Sequence, residues 1–120
     1  MPRFMLLRND EPKAFDEASP EDIRKILEKY RAWKDRIVTA DRLVSSDKLK
    51  EEGGKLLSSR EGKVTVVDGP YTETKEVVAG YFTIRASSYE EAVELARDCP
   101  HLQYGSIVIR EVDPLGCGDD

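Results

Sequence analysis

This chain has few of the residues that mark the commonest metal and redox sites. It contains two cysteines and one histidine in 120 residues. Cys99 and Cys117 provide neither a disulfide framework nor metal-ligand spacing. His101, the single histidine, cannot build a multi-histidine metal site within one chain. The sequence therefore predicts no metal and no cofactor.

Long apolar runs and dense basic clusters are also missing. No segment approaches the ~20 apolar residues that a membrane helix requires, and the apolar run from Phe4 to Leu7 is too short for a secretory signal. The net charge of -5 disfavours binding to nucleic acid or to an anionic membrane surface. We therefore expect a cytoplasmic protein.

What is present fits a single folded domain. Charged residues make up 36% of the chain and hydrophobic residues 39%, a balance typical of globular domains. We assign residues 1–113 to one domain and residues 114–120, rich in Pro, Gly and Asp, to a flexible C-terminal tail.

Two helices and several strands follow from local signals. Ser19 and Pro20 begin a helix over residues 20–40 whose apolar stripe is Ile23, Ile26, Leu27, Tyr30, Trp33 and Ile37. Ser88 and Glu91 have capping-box spacing at the start of a second helix that Pro100 stops. Strands are predicted at residues 4–7, 55–59, 63–67, 78–86 and 106–112, with short extended pieces at 43–49.

This order predicts an α+β fold, a ferredoxin-like split βαβ arrangement with an added β-hairpin and an antiparallel sheet. Both helices can cover one face of the sheet, which leaves the other face bare. Because exposed apolar sheet surface usually marks an interface, we expect a homodimer.

A polar loop separates the two most strongly β-forming runs. It reads Asp68-Gly69-Pro70-Tyr71-Thr72-Glu73-Thr74-Lys75-Glu76. Loops held by a rigid scaffold often carry polar sites. This loop therefore provides candidate ligand-binding or dimer-forming residues.

The same loop closely resembles the DGPF signature, with Tyr71 in place of its phenylalanine. Phe4-Met5-Leu6-Leu7, Gly80-Tyr81-Phe82, Ala96-Arg97-Asp98-Cys99-Pro100 and Gly105-Ser106-Ile107-Val108-Ile109-Arg110 match the surrounding family pattern. From Pro2 to Val112 the chain resembles the DGPF-domain proteins of the YCII-related family, in the dimeric α/β-barrel superfamily. One departure is Asp41-Arg42-Leu43, where the family usually has a glycine-containing turn.

The resemblance implies a dimer whose sheets face each other. Related barrels include muconolactone isomerases, chloromuconolactone dehalogenases and monooxygenases, which use the cavity between sheet and helices. A separate branch of YCII-like proteins carries a His/Asp pair suggested to be catalytic. The DGPF branch often occurs near extracytoplasmic-function sigma factors, which implies a regulatory partner.

Three residues are candidate catalysts: His101, Asp68 and Glu73. For His101 we favour a helix cap or a surface position over catalysis, because cationic side chains commonly accompany terminal carbonyls. For Asp68 we favour a turn-forming role over catalysis. The wider candidate set for ligand binding or the dimer loop is Asp68, Gly69, Pro70, Tyr71, Glu73, Lys75, Glu76, Arg85 and Arg110. We expect Cys99 to be buried and inert.

These observations support three functions. The leading interpretation is a small-molecule-binding or sigma-factor-linked accessory protein without demonstrable catalytic activity. The first alternative is a cavity enzyme of the isomerase, lyase or dehalogenase type, acting on small organic acids or lactones. The second alternative is a protein-interaction module. A deep pocket that contains one of the three candidate catalysts with a strongly shifted pKa favours the enzyme, and a filled interface without a cavity favours the interaction module.

Overall fold

The structure is a computed structural model that describes residues 1–10, 17–50, 54–68 and 77–116. The helices are α1 (Pro20–Thr39) and α2 (Tyr89–Ala96), followed by a short 3₁₀ helix (Pro100–Gln103). The strands are β1 (Arg3–Asp10), β2 (Leu43–Lys48), β3 (Lys55–Arg60), β4 (Lys63–Asp68), β5 (Val77–Arg85) and β6 (Gly105–Glu111). Neither α-helix in this part of the chain is long and apolar enough to cross a membrane.

The main sheet has the order β2-β5-β1-β6, and each pair of neighbours is antiparallel. This is the ferredoxin-like order once β3 and β4 are set aside, so the predicted fold class is confirmed. β3 and β4 form a separate two-stranded sheet, the predicted hairpin. Glu61 and Gly62 at its tip both have positive φ angles, 53° and 80°, as a type I′ turn requires.

Residues 43–48 differ from the prediction. They form β2, a full edge strand of the main sheet, rather than short extended pieces. Four of its six residues, Ser45, Ser46, Asp47 and Lys48, are polar, so the hydrophobic pattern gave a weak strand signal. Pairing with β5 stabilises this strand, although its residues have a weak intrinsic preference for β structure.

The hydrophobic core lies between one face of the main sheet and both helices. Strand alternation buries Phe4 and Leu6 on β1, and their register partners Ile84 and Phe82 lie on the same face of β5. The helices contribute four buried residues, Trp33, Ile37, Ala92 and Ala96. Trp33 donates a hydrogen bond from Nε1 to the carbonyl oxygen of Leu95, 2.9 Å away, which satisfies its one polar group.

The apolar stripe of α1 divides into two parts. Trp33 and Ile37 are buried in the core, but Ile23 and Leu27 are 39% and 50% exposed. Leu27 and Ile26 border a cavity, and Tyr30 both borders that cavity and packs against the core. The amphipathic pattern alone could not distinguish these two surroundings.

The backbone hydrogen bonds at the end of α1 explain how the chain turns at Asp41 without a glycine. The Asp41 amide donates to the carbonyl of Val38, and the Arg42 amide donates to that of Ile37, both at 3.0 Å. These bonds form a Schellman motif, and Asp41 adopts the left-handed conformation, with φ of 57°, that glycine usually takes there. Aspartate therefore occupies a helix-ending position that usually favours glycine.

Asp41→Gly is expected to stabilise the protein by about 0.5–1 kcal/mol, because glycine adopts the left-handed region without a Cβ penalty. The lost Asp41–Arg85 ion pair contributes little, since the Asp41 side chain is 99% exposed and the atoms are 3.8 Å apart. Urea unfolding of the variant and the parent measures the difference. A lower free energy of unfolding for Asp41→Gly would contradict the strain argument.

The start of α2 corrects one detail of the predicted cap. Ser88 Oγ accepts a hydrogen bond from the Glu91 amide at 3.2 Å, as predicted. The Glu91 carboxylate, however, accepts from the amide and hydroxyl of Ser87, both at 3.1 Å, and pairs with Arg42 at 2.5 Å. Glu91 thus links the beginning of α2 to the segment that leads into β2. The hydrogen bond from the Ser87 amide is the main cause of a lowered pKa of Glu91.

Glu91→Gln is expected to destabilise the protein at neutral pH and to lose that effect in acid. Folding lowers the pKa of this carboxyl below its unfolded value of 4.5. Such a carboxyl stabilises the folded protein at pH values above 4.5, and this stabilisation is lost as the pH falls through the lower pKa of the folded state. The melting temperatures of variant and parent should therefore converge below pH 4.5. A gap that stays constant from neutral pH into this acid range would contradict the role of the carboxylate.

Candidate functional site

A cavity of about 370 Å³ opens beside the C-terminal end of β1. Its walls come from α1, β1, β2, β5 and the 3₁₀ helix. The polar and aromatic lining residues are Arg8, Asp10, Tyr30, Lys34, Ser46, Asp47, Lys48, Tyr81, Phe82, His101 and Tyr104. Its volume is within the range of small-molecule pockets, which is about 300–1,000 Å³.

His101 is the most deeply buried polar residue of the cavity. It lies in the 3₁₀ helix and is only 5% exposed. The favoured expectation of a cap or surface histidine is therefore wrong. The 3₁₀ helix that follows Pro100 turns the side chain toward the end of β1, a step that helix-ending signals do not encode.

The His101 ring contacts two oxygens of β1. Its Nε2 lies 3.2 Å from the carbonyl oxygen of Asn9 and 3.1 Å from Oδ1 of Asp10. A carbonyl can only accept, so the hydrogen bond to Asn9 requires a proton on Nε2. Asp10 Oδ1 is buried and has no hydrogen-bond partner among the described residues. The contact with Asp10 is therefore a close approach of the two side chains without hydrogen-bond geometry.

Gly105 allows the chain to pass close to this pair. It is the register partner of Asp10, and a Cβ at this position would lie 1.9 Å from the Asn9 carbonyl oxygen. Any larger residue would displace the carbonyl that receives the His101 hydrogen bond. The glycine thus supports the site by its lack of a side chain.

Arg8 also lines the cavity, two residues before Asp10 on β1. Its guanidinium carbon lies 5.2 Å from the centre of the Tyr30 ring and 5.4 Å from that of Phe82, within cation–π range. Gly80 faces Arg8 across the β1–β5 pair, and a Cβ on Gly80 would lie 2.2 Å from Arg8 Nη2. The glycine therefore makes room for the guanidinium.

Two tyrosines of the cavity are held in the neutral form. Burial raises the pKa of Tyr30, with a smaller opposing effect from Arg8. The hydrogen bond to Asp47 raises the pKa of Tyr81, whose hydroxyl donates to Asp47 Oδ2 at 2.5 Å. The Tyr30 hydroxyl is buried and has no hydrogen-bond partner within the described ranges. The Tyr30 hydroxyl can donate a hydrogen bond, but no other protein group in these segments accepts it.

The structure puts the other candidate residues elsewhere. Asp68 ends β4 and pairs with its register partner Lys55 on the hairpin, away from the cavity lining. Arg85 donates to the Asp41 carbonyl at 3.2 Å, and Arg110 is exposed on β6. The remaining candidates, Gly69, Pro70, Tyr71, Glu73, Lys75 and Glu76, lie outside the described residues. Cys99 is buried, as predicted, and burial raises the pKa of its thiol.

Sequence reasoning missed Arg8 and Asp10, and it treated Tyr30 as a core residue of α1 first and a ligand-stacking residue second. A signal for the first two exists in the period of two along β1, because Phe4, Leu6, Arg8 and Asp10 share one side of the strand. Charged residues that continue a buried apolar face are unusual and mark a polar site next to the core. Across residues 1–10, 17–50, 54–68 and 77–116, no group of three metal-binding side chains is found.

Comparison with known proteins fixes the family. The sequence profile of the YCII-related domain matches residues 2–115. The chain belongs to the YCII-related family. An uncharacterized protein of Rhizobium meliloti (strain 1021) is 46% identical to this YCII-related protein over 37 residues, which are 31% of this chain and 30% of that relative.

A solved structure shares the fold. It is the 5-chloro-2-hydroxyhydroquinone dehydrochlorinase of Burkholderia phenoliruptrix AC1100, in complex with 2,5-dihydroxybenzoquinone. The TM-score is 0.54 with 12% identity, over 92% of this chain and 93% of that one. At this identity the likeness shows a common fold, and the chemistry has to be argued from the site.

Proposed function

We propose that this YCII-related protein binds a small oxygenated ring compound in the cavity and transfers a proton to or from it with Asp10 and His101. The observation that carries the proposal is the 3.1 Å approach of His101 Nε2 to Asp10 Oδ1 at the cavity wall. Carboxylates and imidazoles are common general acids and bases, and acid–base catalysis of this kind contributes about 10²–10⁴-fold to rates.

The two groups have different access to a ligand. The Asp10 side chain is 32% exposed and the His101 side chain 5%. Asp10 is therefore the group that exchanges a proton with the ligand. His101, anchored to the Asn9 carbonyl, holds its Nε2 N–H beside the Asp10 side chain and restrains its position.

The reaction class is supported by the site and by the structural neighbour. Removing a proton from a hydroxylated ring gives an enolate or phenolate, and expulsion of a leaving group then completes an elimination. The neighbour is a dehydrochlorinase whose structure contains a dihydroxybenzoquinone. Tautomerisation and elimination on such rings are therefore the first reactions to test here.

Binding without turnover is the second candidate. It is favoured by the hydrogen bond from His101 to a backbone carbonyl, because this bond also suits a purely structural histidine. A sigma-factor-linked partner remains a prediction from the family resemblance. A cavity lined by an Arg, an Asp and a buried His is more consistent with a small-molecule ligand than with a protein interface.

The test begins with 2,5-dihydroxybenzoquinone as the binding probe. We expect it to raise the melting temperature in a dose-dependent manner through native-state binding. Turnover is then measured as chloride release from 5-chloro-2-hydroxyhydroquinone, and as deuterium uptake into unchlorinated hydroquinones by NMR. Binding without chloride release or deuterium uptake would support the second candidate. Absence of binding would overturn both.

We further propose that the protein acts as a homodimer and that the β3–β4 hairpin contributes to the interface. All hairpin residues are exposed, including Leu57, Val64 and Val66 at 63%, 66% and 59%. An isolated two-stranded hairpin is only marginally stable in water. The radius of gyration of 16.6 Å also exceeds the ~14 Å of a compact domain of this length. A second copy of the chain would cover these apolar side chains.

The mass of one chain is 13.6 kDa. Light scattering after size exclusion is expected to give twice this mass. Val66→Lys should shift the mass toward the monomer, because it places a charge among the exposed apolar residues. Thr65→Lys is the matched control, since Thr65 lies on the opposite face of the same strand. A monomeric parent protein at micromolar concentration would refute the dimer.

A further inference from the structure

The geometry points to Arg8 and Tyr30 as a binding pair for the negatively charged oxygen of an aromatic ligand. This inference rests on the proposed function and deepens it, since it names the charge and class of the molecule that enters the cavity. It assigns Arg8 a role in binding rather than in proton transfer.

The first support is the position of Arg8. Phe4 and Leu6, which precede it on the same side of β1, are fully buried. Arg8 continues this side into the cavity, where its guanidinium lies beside the Tyr30 and Phe82 rings. A cation at the edge of an apolar core is unfavourable unless an anion or hydrogen-bond acceptors compensate it.

The second support is that the described chain supplies no such anion. None of the ion pairs formed by these residues includes Arg8. Its Nε is buried and has no hydrogen-bond partner in the same segments. Cation–π contact with two rings compensates part of the charge but leaves the N–H donors available.

The third support is the convergence of unsatisfied groups. Three buried polar atoms in the described residues have no hydrogen-bond partner: Arg8 Nε, Tyr30 Oη and Asp10 Oδ1. All three residues line the same cavity. Buried polar groups are rarely left unsatisfied, so a cluster of them marks the place of a bound molecule. Two of the three are donors, and burial keeps the Tyr30 hydroxyl protonated by raising its pKa.

The side chains that line the cavity restrict the chemical class of the ligand. Arg8 and Tyr30 present donors to an oxyanion, and Arg binds carboxylate with particular geometric fit. Tyr30, Phe82 and Tyr104 supply aromatic side chains beside these donors. Asp10, on the same strand as Arg8, is then positioned to meet another part of the same ring. An aromatic carboxylate or a phenolate has the required charge, planarity and size.

Gly80 gives the arrangement a specific structural requirement. A Cβ at this position would meet both Arg8 Nη2, at 2.2 Å, and the backbone oxygen of Asp47, at 2.6 Å. The space that holds the guanidinium is therefore formed by the absence of a side chain on β5. This close approach restricts where the guanidinium can lie in the cavity wall.

The experiment compares salicylate with salicylamide by isothermal titration calorimetry. The two compounds have nearly the same shape, but at neutral pH salicylate is an anion and salicylamide is mainly neutral. We expect the parent protein to bind salicylate at least about tenfold more tightly, which corresponds to ~1.4 kcal/mol. Equal affinities, or no binding of either compound at millimolar concentration, would overturn the inference without any variant being made.

Two variants then assign the preference to Arg8. Arg8→Gln should bring the affinities for the two compounds within about twofold of each other, whereas Arg8→Lys, which keeps the charge but loses the forked donors, should retain part of the difference. Circular dichroism establishes that both variants are folded. If Arg8→Gln keeps the full preference for salicylate, Arg8 does not bind the anion.

Asp10→Asn separates this inference from the proposed function. The variant should lose proton transfer and keep the preference for salicylate. A parent protein that prefers salicylate but catalyses no proton transfer would refute the proposed function alone. A protein that catalyses proton transfer without preferring the anion would refute the role of Arg8 alone.

Discussion

Replacing Asp10 with asparagine is expected to lower the rate of proton transfer by about 10²–10⁴-fold, the usual contribution of a general acid or base. The change keeps the shape of the side chain and removes its ability to accept a proton. Ligand affinity should change by no more than a few fold, because the aromatic walls and Arg8 remain. Steady-state kinetics should therefore show a loss in kcat with a nearly constant KM.

The matched control is Asp47→Asn. Asp47 lines the same cavity but accepts from Tyr81 and has no contact with His101. We expect this control to keep at least a tenth of the parent rate. His101→Asn should also be slow, since it removes the N–H beside the carboxylate. Loss of activity in Asp47→Asn that equals the loss in Asp10→Asn would show that the assignment of roles is wrong.

Trp33→Ala is expected to destabilise the protein by about 3–5 kcal/mol, the range seen when a large buried aromatic side chain is removed. Trp33 is 2% exposed and contacts the Tyr30 and Phe82 rings edge-on, with ring centres 5.9 and 5.1 Å apart. A loss of this size is a large fraction of the stability of a small domain. Urea unfolding at a single protein concentration measures it.

Trp33→Phe separates the ring from its polar group. Phenylalanine keeps an aromatic side chain but leaves the Leu95 carbonyl without the Nε1 hydrogen bond. An unsatisfied buried acceptor costs about 1–3 kcal/mol, so this variant should fall between the parent and Trp33→Ala. If Trp33→Ala cost less than 1 kcal/mol, Trp33 would not be a central core residue.

The fold could be predicted because its helices and its hairpin carry recognisable local sequence signals. Ser19 and Pro20 fix the start of α1, and the capping box between Ser19 and Asp22 forms as a short-range interaction with bonds of 3.1 and 3.3 Å. The hairpin follows from Gly62 between two β-forming runs. Such features depend on residues that are close in sequence, so a pattern can reveal them.

The site could not be predicted in the same way, because its members come from distant parts of the chain. His101 and Asn9 are 92 positions apart, and only the sheet order brings them together. The polar loop drew attention because its composition is unusual, whereas Arg8 and Asp10 are ordinary residues at a strand end. Period-two alternation puts both on the core side, but the strand was predicted to end at Leu7, before this pattern could be applied.

The sheet order also has a consequence for how the protein is made. Of the described strands, β1 leaves the ribosome before its two neighbours, β5 and β6, which begin only at Val77 and Gly105. During most of synthesis the run from Phe4 to Leu7 therefore has neither of its hydrogen-bonding partners, and such unpaired apolar strands promote aggregation. Folding must wait for long-range contacts, which makes it slow for a domain of this size. An inner strand of the finished sheet is thus a segment that stays exposed to aggregation until late in synthesis.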